Sequence, residues 1–478
     1  MVNKILIAIL LASSMYANKI NNSVVKIFTT SSKVNYKVPW QLKNSKHYTG
    51  SGVLIKDNYI LTSAHVVSDA TYIEIKKQNT IQKYEAKIKW IAHDIDLALL
   101  VVNDKSFYKD MKPLKIVKLP YRQDDVTVVG YPKGGKNIST TKGIISRLEL
   151  HEYVHSRKKF LTIQIDAPIN SGNSGGPAFN NKNEIVGIAM QTLKKSSNIG
   201  YIVPSVIINH FLEDIKDGKY DGMIDDAFLL QRMFNRDFRE YYKMKDRTGV
   251  YVSEVYKGSY AYNILKEGDI ILKYEDKIIE NDGSVKFRNS RISADYFLNK
   301  KQIGDNLTFT ILRDNKVLNK TIKIKHRQIL IPEYFDKKTE YLIFAGFVIM
   351  PLSKNYIVNE EYRVNSSWLN TLYSKNDVDN NITQYVFIHD ILASKINSGY
   401  SNQRKLRILK VNGIIIKNFK HLVSLIDNIK DKYIVFDMEY NAKIVLNFKN
   451  AKEENKGILE MYNIPYDRYL DNSTIPIR

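Results

Sequence analysis

Cysteine is missing from all 478 residues. The chain therefore needs no disulfide and cannot misform one, which agrees with an oxidising compartment. Long apolar runs are missing too. The run Ile5 to Ala12 is too short to span a bilayer. A dense basic tract is absent, although 72 Lys and Arg face 50 Asp and Glu for a formal charge of +22. The surplus is spread along the chain among Asn and Ile, as a composition bias spreads it. A nucleic-acid partner rests on net charge alone and is not expected; peripheral contact with an anionic membrane surface stays open. Clustered metal ligands are lacking as well. His151 and His155 stand at helical spacing without a third ligand, so neither metal nor cofactor is expected.

What is present suits folded domains: 44% hydrophobic and 26% charged residues, in a chain long enough for roughly three of them. Residues 1–17 read as a secretory signal, with Lys4 ahead of the apolar run and small residues after it. A periplasmic or secreted location follows; an uncleaved anchor is the competing reading.

From about Asn22 to Lys219 the pattern is short β-rich runs at regular spacing with almost no helix, as in sandwiches and barrels. Inside it lies Asn170-Ser171-Gly172-Asn173-Ser174-Gly175-Gly176-Pro177. Glycines crowding one serine permit a tight turn that points the hydroxyl outward. The amides of Gly172 and Ser174, with Asn173 between them, can then converge on one point, as an oxyanion requires. An ordinary polar loop is the rival explanation. Two upstream stretches favour the nucleophile: Leu61-Thr62-Ser63-Ala64-His65 and Asp94-Ile95-Asp96-Leu97-Ala98-Leu99. The order His, Asp, Ser differs from that of subtilisins and α/β-hydrolases.

These segments resemble the HtrA/Deg family of serine endopeptidases, and its plant-type subgroup in particular. Asn35-Tyr36, Pro39-Trp40-Gln41, Gly130-Tyr131-Pro132-Lys133-Gly134-Gly135, Asp166-Ala167-Pro168-Ile169-Asn170 and Asn198-Ile199-Gly200-Tyr201-Ile202-Val203-Pro204 carry the likeness in order. The resemblance implies a mainly β fold: a trypsin-like double barrel of two six-stranded halves, followed by two PDZ domains. It implies His65, Asp96 and Ser174 as catalytic residues and Gly172, Asn173 and Ser174 as the oxyanion hole. Asp96 directly precedes the apolar run, so Asp94 is expected as a solvated turn residue. Ile169, Ile188, Ala189, Met190 and Gln191 are expected to bind substrate. No aspartate stands where a basic-residue anchor belongs, so small to medium aliphatic residues are expected at P1. The loop Leu148 to Lys159 matches in position the family's sensor loop, with Arg147 relaying its state. Phe28, Tyr36 and Trp40 lie where the family packs aromatic residues in a trimer; ordinary core packing is the alternative.

Ser205 is expected to cap a helix that Gly218 ends. Beyond it, Gly249-Val250-Tyr251-Val252 and Glu267-Gly268-Asp269-Ile270-Ile271-Leu272 resemble a PDZ domain at 227–328. Its peptide groove is expected at Met244, Gly249, Val250 and Tyr251. A second PDZ-like module at 338–452 places its carboxylate loop at Phe344, Ala345 and Gly346, while Asn355 to Tyr400 fits poorly; 453–478 is expected as a tail. The implied protein cleaves unfolded polypeptides without ATP, binds peptides through its PDZ modules and assembles into trimers or multiples of trimers. The alternative is a chaperone-like scaffold with a resting protease site.

Overall fold

The computed structural model describes residues 22–135, 137–170, 172–192, 199–358 and 381–471. The expected signal, Ser171, the side chain of Gln191 and the loop 193–198 lie outside the described residues. Two compact units form: one runs through Ser31 and from Ser45 to Arg327, the other combines Ser32–Asn44 with Gln328–Arg478.

In the first unit, β-branched and aliphatic runs fold as strands because alternate side chains reach a core. Strands β1 (Val24–Ser31), β2 (Lys46–Leu54), β3 (Ile60–Thr62), β4 (Ala70–Lys77), β5 (Lys83–Glu85), β6 (Lys87–Ala92) and β7 (Leu97–Val101) come first. A short helix α1 (Ala64–Val67) follows β3. Among the described residues these strands make a seven-stranded sheet in the order β5-β4-β1-β2-β3-β7-β6, not a six-stranded barrel. The additional strand β5 extends the edge at β4, where Lys83 meets Glu74 at 2.7 Å.

Strands β8 (Asp125–Gly130), β9 (Ser139–Glu152), β10 (Lys159–Ile165), β11 (Pro177–Phe179), β12 (Ile185–Thr192) and β13 (Gly200–Pro204) close into a barrel. Helix α2 (Ser205–Asp214) follows with Pro204 as its N-cap. Ser205 is thus the first helical residue and not the cap, and its hydroxyl is buried without a partner among the described residues. Gly218, at φ 89°, ends the helical turn after α2 as expected.

The first PDZ module shares with the protease part of this unit its largest apolar cluster, which includes both Val24 and Ile324. Its sheet orders β14 (Phe228–Gln231), β15 (Val250–Val255), β16 (Ile270–Tyr274), β20 (Asn306–Arg313) and β21 (Lys316–Lys323), with β17 (Lys277–Ile278) on β16. A ribbon of β18 (Ser284–Phe287) and β19 (Ser290–Ser293) carries Arg288. That guanidinium donates to the carbonyls of Leu119 (2.8 Å) and Pro120 (2.5 Å) and lies 4.0 Å from the Tyr121 ring. Helices α3 (Arg236–Tyr241) and α4 (Asp295–Leu298) complete the module, and Asn299 just after α4 donates to the Lys159 carbonyl at 2.8 Å. The Glu-Gly-Asp run has a structural cause. Asp269, 1% exposed, accepts both nitrogens of the Arg313 fork at 2.6 and 2.7 Å and the Lys266 amide at 2.8 Å.

The second unit holds two four-stranded sheets among the described residues. One orders β24 (Val386–Ile391), β23 (Phe347–Pro351), β22 (Tyr341–Phe344) and β29 (Arg468–Tyr469). The other orders β26 (Ile414–Ile415), β25 (Ile408–Val411), β27 (Tyr433–Met438) and β28 (Lys443–Asn447). Helices α5 (Lys354–Val358), α6 (Phe419–Asp427) and α7 (Phe448–Met461) flank them. The poorly fitting stretch therefore contains a regular strand of the sheet, β24, at its edge beside β23. The expected tail supplies most of α7 and an edge strand.

A strap from between β1 and β2 belongs to this unit. Tyr36 packs edge-on against Tyr356, with ring centroids 5.9 Å apart, and Trp40 against Tyr341 at 6.1 Å. The Nε2 of His389 lies 3.3 Å from the Lys37 carbonyl. A carbonyl only accepts, so Nε2 carries the proton, and Nδ1 faces the Tyr356 hydroxyl at 2.9 Å. Tyr36 and Trp40 are thus engaged within the unit; Phe28 is half-buried, with Lys83 Nζ 4.2 Å over its ring.

Replacing Asp269 with alanine strands the Arg313 guanidinium, and breaking such a buried pair costs about 3 kcal/mol. Urea unfolding of the full chain is expected to show that loss for Asp269→Ala, and a loss below the error of the measurement contradicts it.

Candidate active site

Three segments carry the sequence-marked residues, and two of those residues, His65 and Asp96, are in contact. His65 rides on α1, Asp96 immediately precedes β7, and Ser174 lies on the loop between β10 and β11. Asp96 is fully buried, and its φ of 59° is left-handed, a conformation aspartate tolerates better than most residues. Its carboxylate accepts the main-chain N–H of His65 at 3.0 Å and faces Nδ1 of the same ring at 2.9 and 2.8 Å. Nδ1 thus bears the proton, which leaves Nε2 to act as a base. Burial opposes a charge on this ring, yet the Asp96 charge and hydrogen bond outweigh it and hold the imidazole pKa above its ordinary value.

The serine loop is fixed by hydroxyl groups from the first sheet. Ser51 Oγ donates to the Gly172 carbonyl at 2.8 Å and accepts the Tyr131 N–H at 2.8 Å. The Ser51 amide donates to the Ser174 carbonyl at 2.9 Å. Thr62 donates to the Ser51 carbonyl at 2.7 Å, and Ser63 to that of Ala189 at 3.1 Å. These ties make the glycines obligatory. A Cβ on Gly172 (φ 99°) would stand 2.4 Å from the Tyr131 carbonyl; one on Gly175 (φ 80°) would stand 2.2 Å from Thr62 Oγ1.

The amide of Asn173 closes a turn on the Asn170 carbonyl at 2.9 Å, so it is not an oxyanion donor. Its side chain, 1% exposed, has both polar ends unpartnered among the described residues. The amides of Gly172 and Ser174 and the half-buried Ser174 hydroxyl make no hydrogen bond among the described residues. These three groups are the ones free to meet a substrate.

Ile169, Ile188, Ala189 and Met190 are all buried. Ala189 exchanges hydrogen bonds with the loop itself, its N–H to Gly176 O at 2.9 Å and its carbonyl from Gly175 N–H at 2.8 Å. Its backbone is therefore committed and cannot pair with a substrate strand. The ladder between β12 and β13 skips Met190, which the pairing of Ala189 and Gln191 passes over.

The sensor-loop candidate is mostly strand; only its tip, 153–158, is loop. His155 at that tip stacks on His65, with centroids 6.1 Å apart and planes 9° off parallel. His151 stacks instead on Tyr201 at 4.4 Å. Arg147 pairs with Glu149 at 2.9 Å at the base of the hairpin. Asp94 is not a solvated turn residue: its carboxylate accepts the Tyr220 hydroxyl and the Met223 N–H. Sequence reasoning missed this role, and also that of Ser51, although the Gly50-Ser51-Gly52 run marked the place.

Both expected PDZ grooves change. Met244 is fully buried against Met233, Ile270 and Leu272. Strand β15, with Val250 and Tyr251, has β14 on one side and β16 on the other. Among the described residues the outer strands of this sheet are β14 and β21, so the Gly249 region offers no free edge. In the second module Ala345 (φ 50°) and Gly346 (φ 82°) form a tight turn between β22 and β23. The Ala345 N–H already donates to Asn455 Oδ1 at 2.9 Å, and Phe344 packs on Phe448. That turn has no amide at Ala345 to offer a carboxylate.

Residues 50–188 match the trypsin-like peptidase domain family, and residues 331–471 match the PDZ domain family. The chain is 39% identical over 455 residues to Protease Do-like 2, chloroplastic, of Arabidopsis thaliana, spanning 94% of this chain and 75% of that protein. It is 38% identical over 448 residues to Protease Do-like 4, mitochondrial, of the same plant, spanning 93% and 84%. The Serine protease DegP homolog of Plasmodium falciparum is 30% identical, over 94% of this chain and 67% of its own length. A solved structure of the HtrA-type protease AlgW with tripeptide shares the fold at a TM-score of 0.51 and 22% identity. That match covers 64% of this chain and 94% of that one.

Removing the Ser51 hydroxyl leaves a buried carbonyl and a buried N–H unpaired, at a cost of about 2 kcal/mol. Ser51→Ala is expected to lower the thermal midpoint accordingly, while an unchanged melt refutes the tie.

Proposed function

We propose that this chain, which belongs to the HtrA/Deg family of serine proteases, uses Ser174 as nucleophile, His65 as general base and acid, and Asp96 as the group that orients the imidazole. The chain is a serine endopeptidase with PDZ modules, and the assignment of these three residues rests on one observation. The buried Asp96 carboxylate grips Nδ1 of His65, on a helix directly preceded by Thr62 and Ser63, which pack against Gly175 of the serine loop.

A serine hydroxyl attacks an amide only when a base takes its proton. His65 Nε2 fills that role and later returns the proton to the leaving amine. Asp96 keeps the useful tautomer and stabilises the imidazolium. The amides of Gly172 and Ser174 receive the oxyanion, each contributing about 3 kcal/mol to barrier lowering. The apolar side chains of Ile169, Ile188 and Met190 suit small to medium aliphatic P1 residues. The hydrogen bond between Ser174 and His65 forms as substrate fills the cleft, since such contacts tighten with the substrate bound.

Substrates are unfolded or damaged polypeptides, consumed for protein quality control without ATP or metal. The first PDZ module adds a peptide strand at β14. The second holds its own strap and serves architecture more than capture. The chain assembles as a homotrimer or a multiple of one. The sequence at 1–17 sends it to the periplasm or outside the cell.

Casein cleavage is expected to vanish in Ser174→Ala, and a fluorophosphonate probe to label only the wild type; residual turnover of the variant sinks the assignment. The acid limb of kcat/KM reports His65, which must be neutral to act. Its raised pKa places that limb above the ordinary imidazole value of about 6.5. A midpoint below that value contradicts the Asp96 grip. Sedimentation equilibrium tests the trimer.

A further inference from the structure

We propose that Asp94 is a positioning residue for Asp96, holding the Asp94-Ile95-Asp96 segment between the linker to the first PDZ module and the tip of the β9–β10 hairpin. The inference rests on the triad reading above and adds the groups that keep its acid in place.

Asp96 needs such a hold. A left-handed backbone at a residue other than glycine persists when its surroundings determine it. Its buried carboxylate must meet a main-chain N–H and a ring N–H of the same histidine. Strand pairing begins only after it, where Leu97 opens β7. The restraint on the other side is Asp94.

The hydrogen bonds of Asp94 reach segments other than its own. Oδ1 accepts the Tyr220 hydroxyl at 2.5 Å, and Oδ2 accepts the Met223 N–H at 2.8 Å. One carboxylate thus bridges two points of the linker. Its main-chain carbonyl accepts Ser156 Oγ, from the hairpin tip, at 3.0 Å. The tip is a closed loop, since Tyr153 N–H donates to the Lys158 carbonyl at 2.9 Å and Lys158 N–H to Ser156 Oγ at 3.2 Å. It is fastened to the same linker, because Lys158 Nζ reaches Asp225 at 2.8 Å.

The linker itself is anchored at both ends. Asp214 of α2 accepts the N–H groups of Asp221 (3.1 Å) and Gly222 (2.7 Å). Asp225 accepts the Arg327 N–H at 3.1 Å and faces His326 at 3.3 Å, where the first PDZ module ends. The clasp therefore joins α2, the hairpin tip and the end of the module to the residue two places before Asp96. The hairpin tip also touches the dyad. His155 stacks on His65. Tyr153 is buried, and its phenol is pushed up first by that burial and then by the charge of Asp96 and a hydrogen bond to it.

Loosening the clasp leaves the substrate cleft intact but lets Asp96 turn away from Nδ1. The loss falls on kcat and spares KM, because orienting the imidazole matters to the transition state and little to ground-state binding.

The test uses full-length Tyr220→Phe and Asp94→Asn. Tyr220→Phe keeps the ring that packs edge-on against Phe211 at 5.3 Å and deletes only the hydroxyl, so it folds even if Asp94→Asn does not. We expect kcat to fall about five-fold in Tyr220→Phe, the worth of one hydrogen bond, and further in Asp94→Asn, with KM unchanged. The acid limb of kcat/KM moves to lower pH as Asp96 raises His65 less; His155, the other titratable ring facing His65, is retained in both variants. The downfield proton resonance of His65 Nδ1–H weakens or moves upfield. A fall in kcat with an unmoved limb and resonance overturns the proposal, as does wild-type behaviour in all three measurements. Ser174→Ala separates the two readings. If it loses turnover yet keeps the resonance, the triad stands whatever Tyr220→Phe shows; if it keeps turnover, the triad falls first.

Discussion

The seam between the two halves of the protease depends on side-chain hydroxyls standing in for a strand ladder. The serine loop must project, so its carbonyls and amides cannot all pair within the second barrel. Buried backbone groups still require partners. Ser51 supplies one from the first sheet, to Gly172 O, and is itself held by Thr62 through its carbonyl, while Ser63 reaches across to Ala189 O of β12. The position of Ser174 is therefore decided by both halves together. The histidine follows Ser63 by two residues, so the segment that carries the base is tied to Ala189, the residue that exchanges hydrogen bonds with Gly175 and Gly176 of the loop.

The two PDZ modules differ in how they are tied to the rest of the chain. The first shares one apolar core with the protease, reinforced where Arg288 grips the Leu119 and Pro120 carbonyls. It keeps a free strand edge at β14. The second has spent its corresponding turn on internal contacts. Asn455 takes the Ala345 amide and Asn397 the Ala345 carbonyl at 2.8 Å. A turn whose polar groups are satisfied within the chain stabilises the module and forgoes a terminal carboxylate.

Much of the site was legible because its chemistry is local in sequence. Glycines around Ser174, the small residues before His65 and the apolar run after Asp96 each announce a backbone need that only certain residues meet. The trypsin-like and PDZ character followed from the same motifs. Asp94 was illegible because its partner hydroxyl lies 126 positions away. No periodicity marks a carboxylate that caps a distant linker. The strand context of the expected groove was illegible for a similar reason: Phe228–Gln231 is four residues long, and only its pairing with β15 shows that the Val250 strand is covered on that side. The stretch 453–478 carried no motif, yet α7 and β29 bury Ile458 and pair with β22.

The strap between β1 and β2 has a consequence for biosynthesis. Lys37 and His389 are 352 positions apart, so Tyr36 and Trp40 leave the ribosome long before Tyr356 and Tyr341 exist. Domains fold as they emerge, at about 5–20 residues per second. For tens of seconds, then, the nascent protease half carries an aromatic segment whose permanent partners are still untranslated. During that interval the strap is an exposed apolar ligand, open to chaperones or to the strap of a neighbouring nascent chain, and completion of the carboxy-terminal unit is the event that withdraws it.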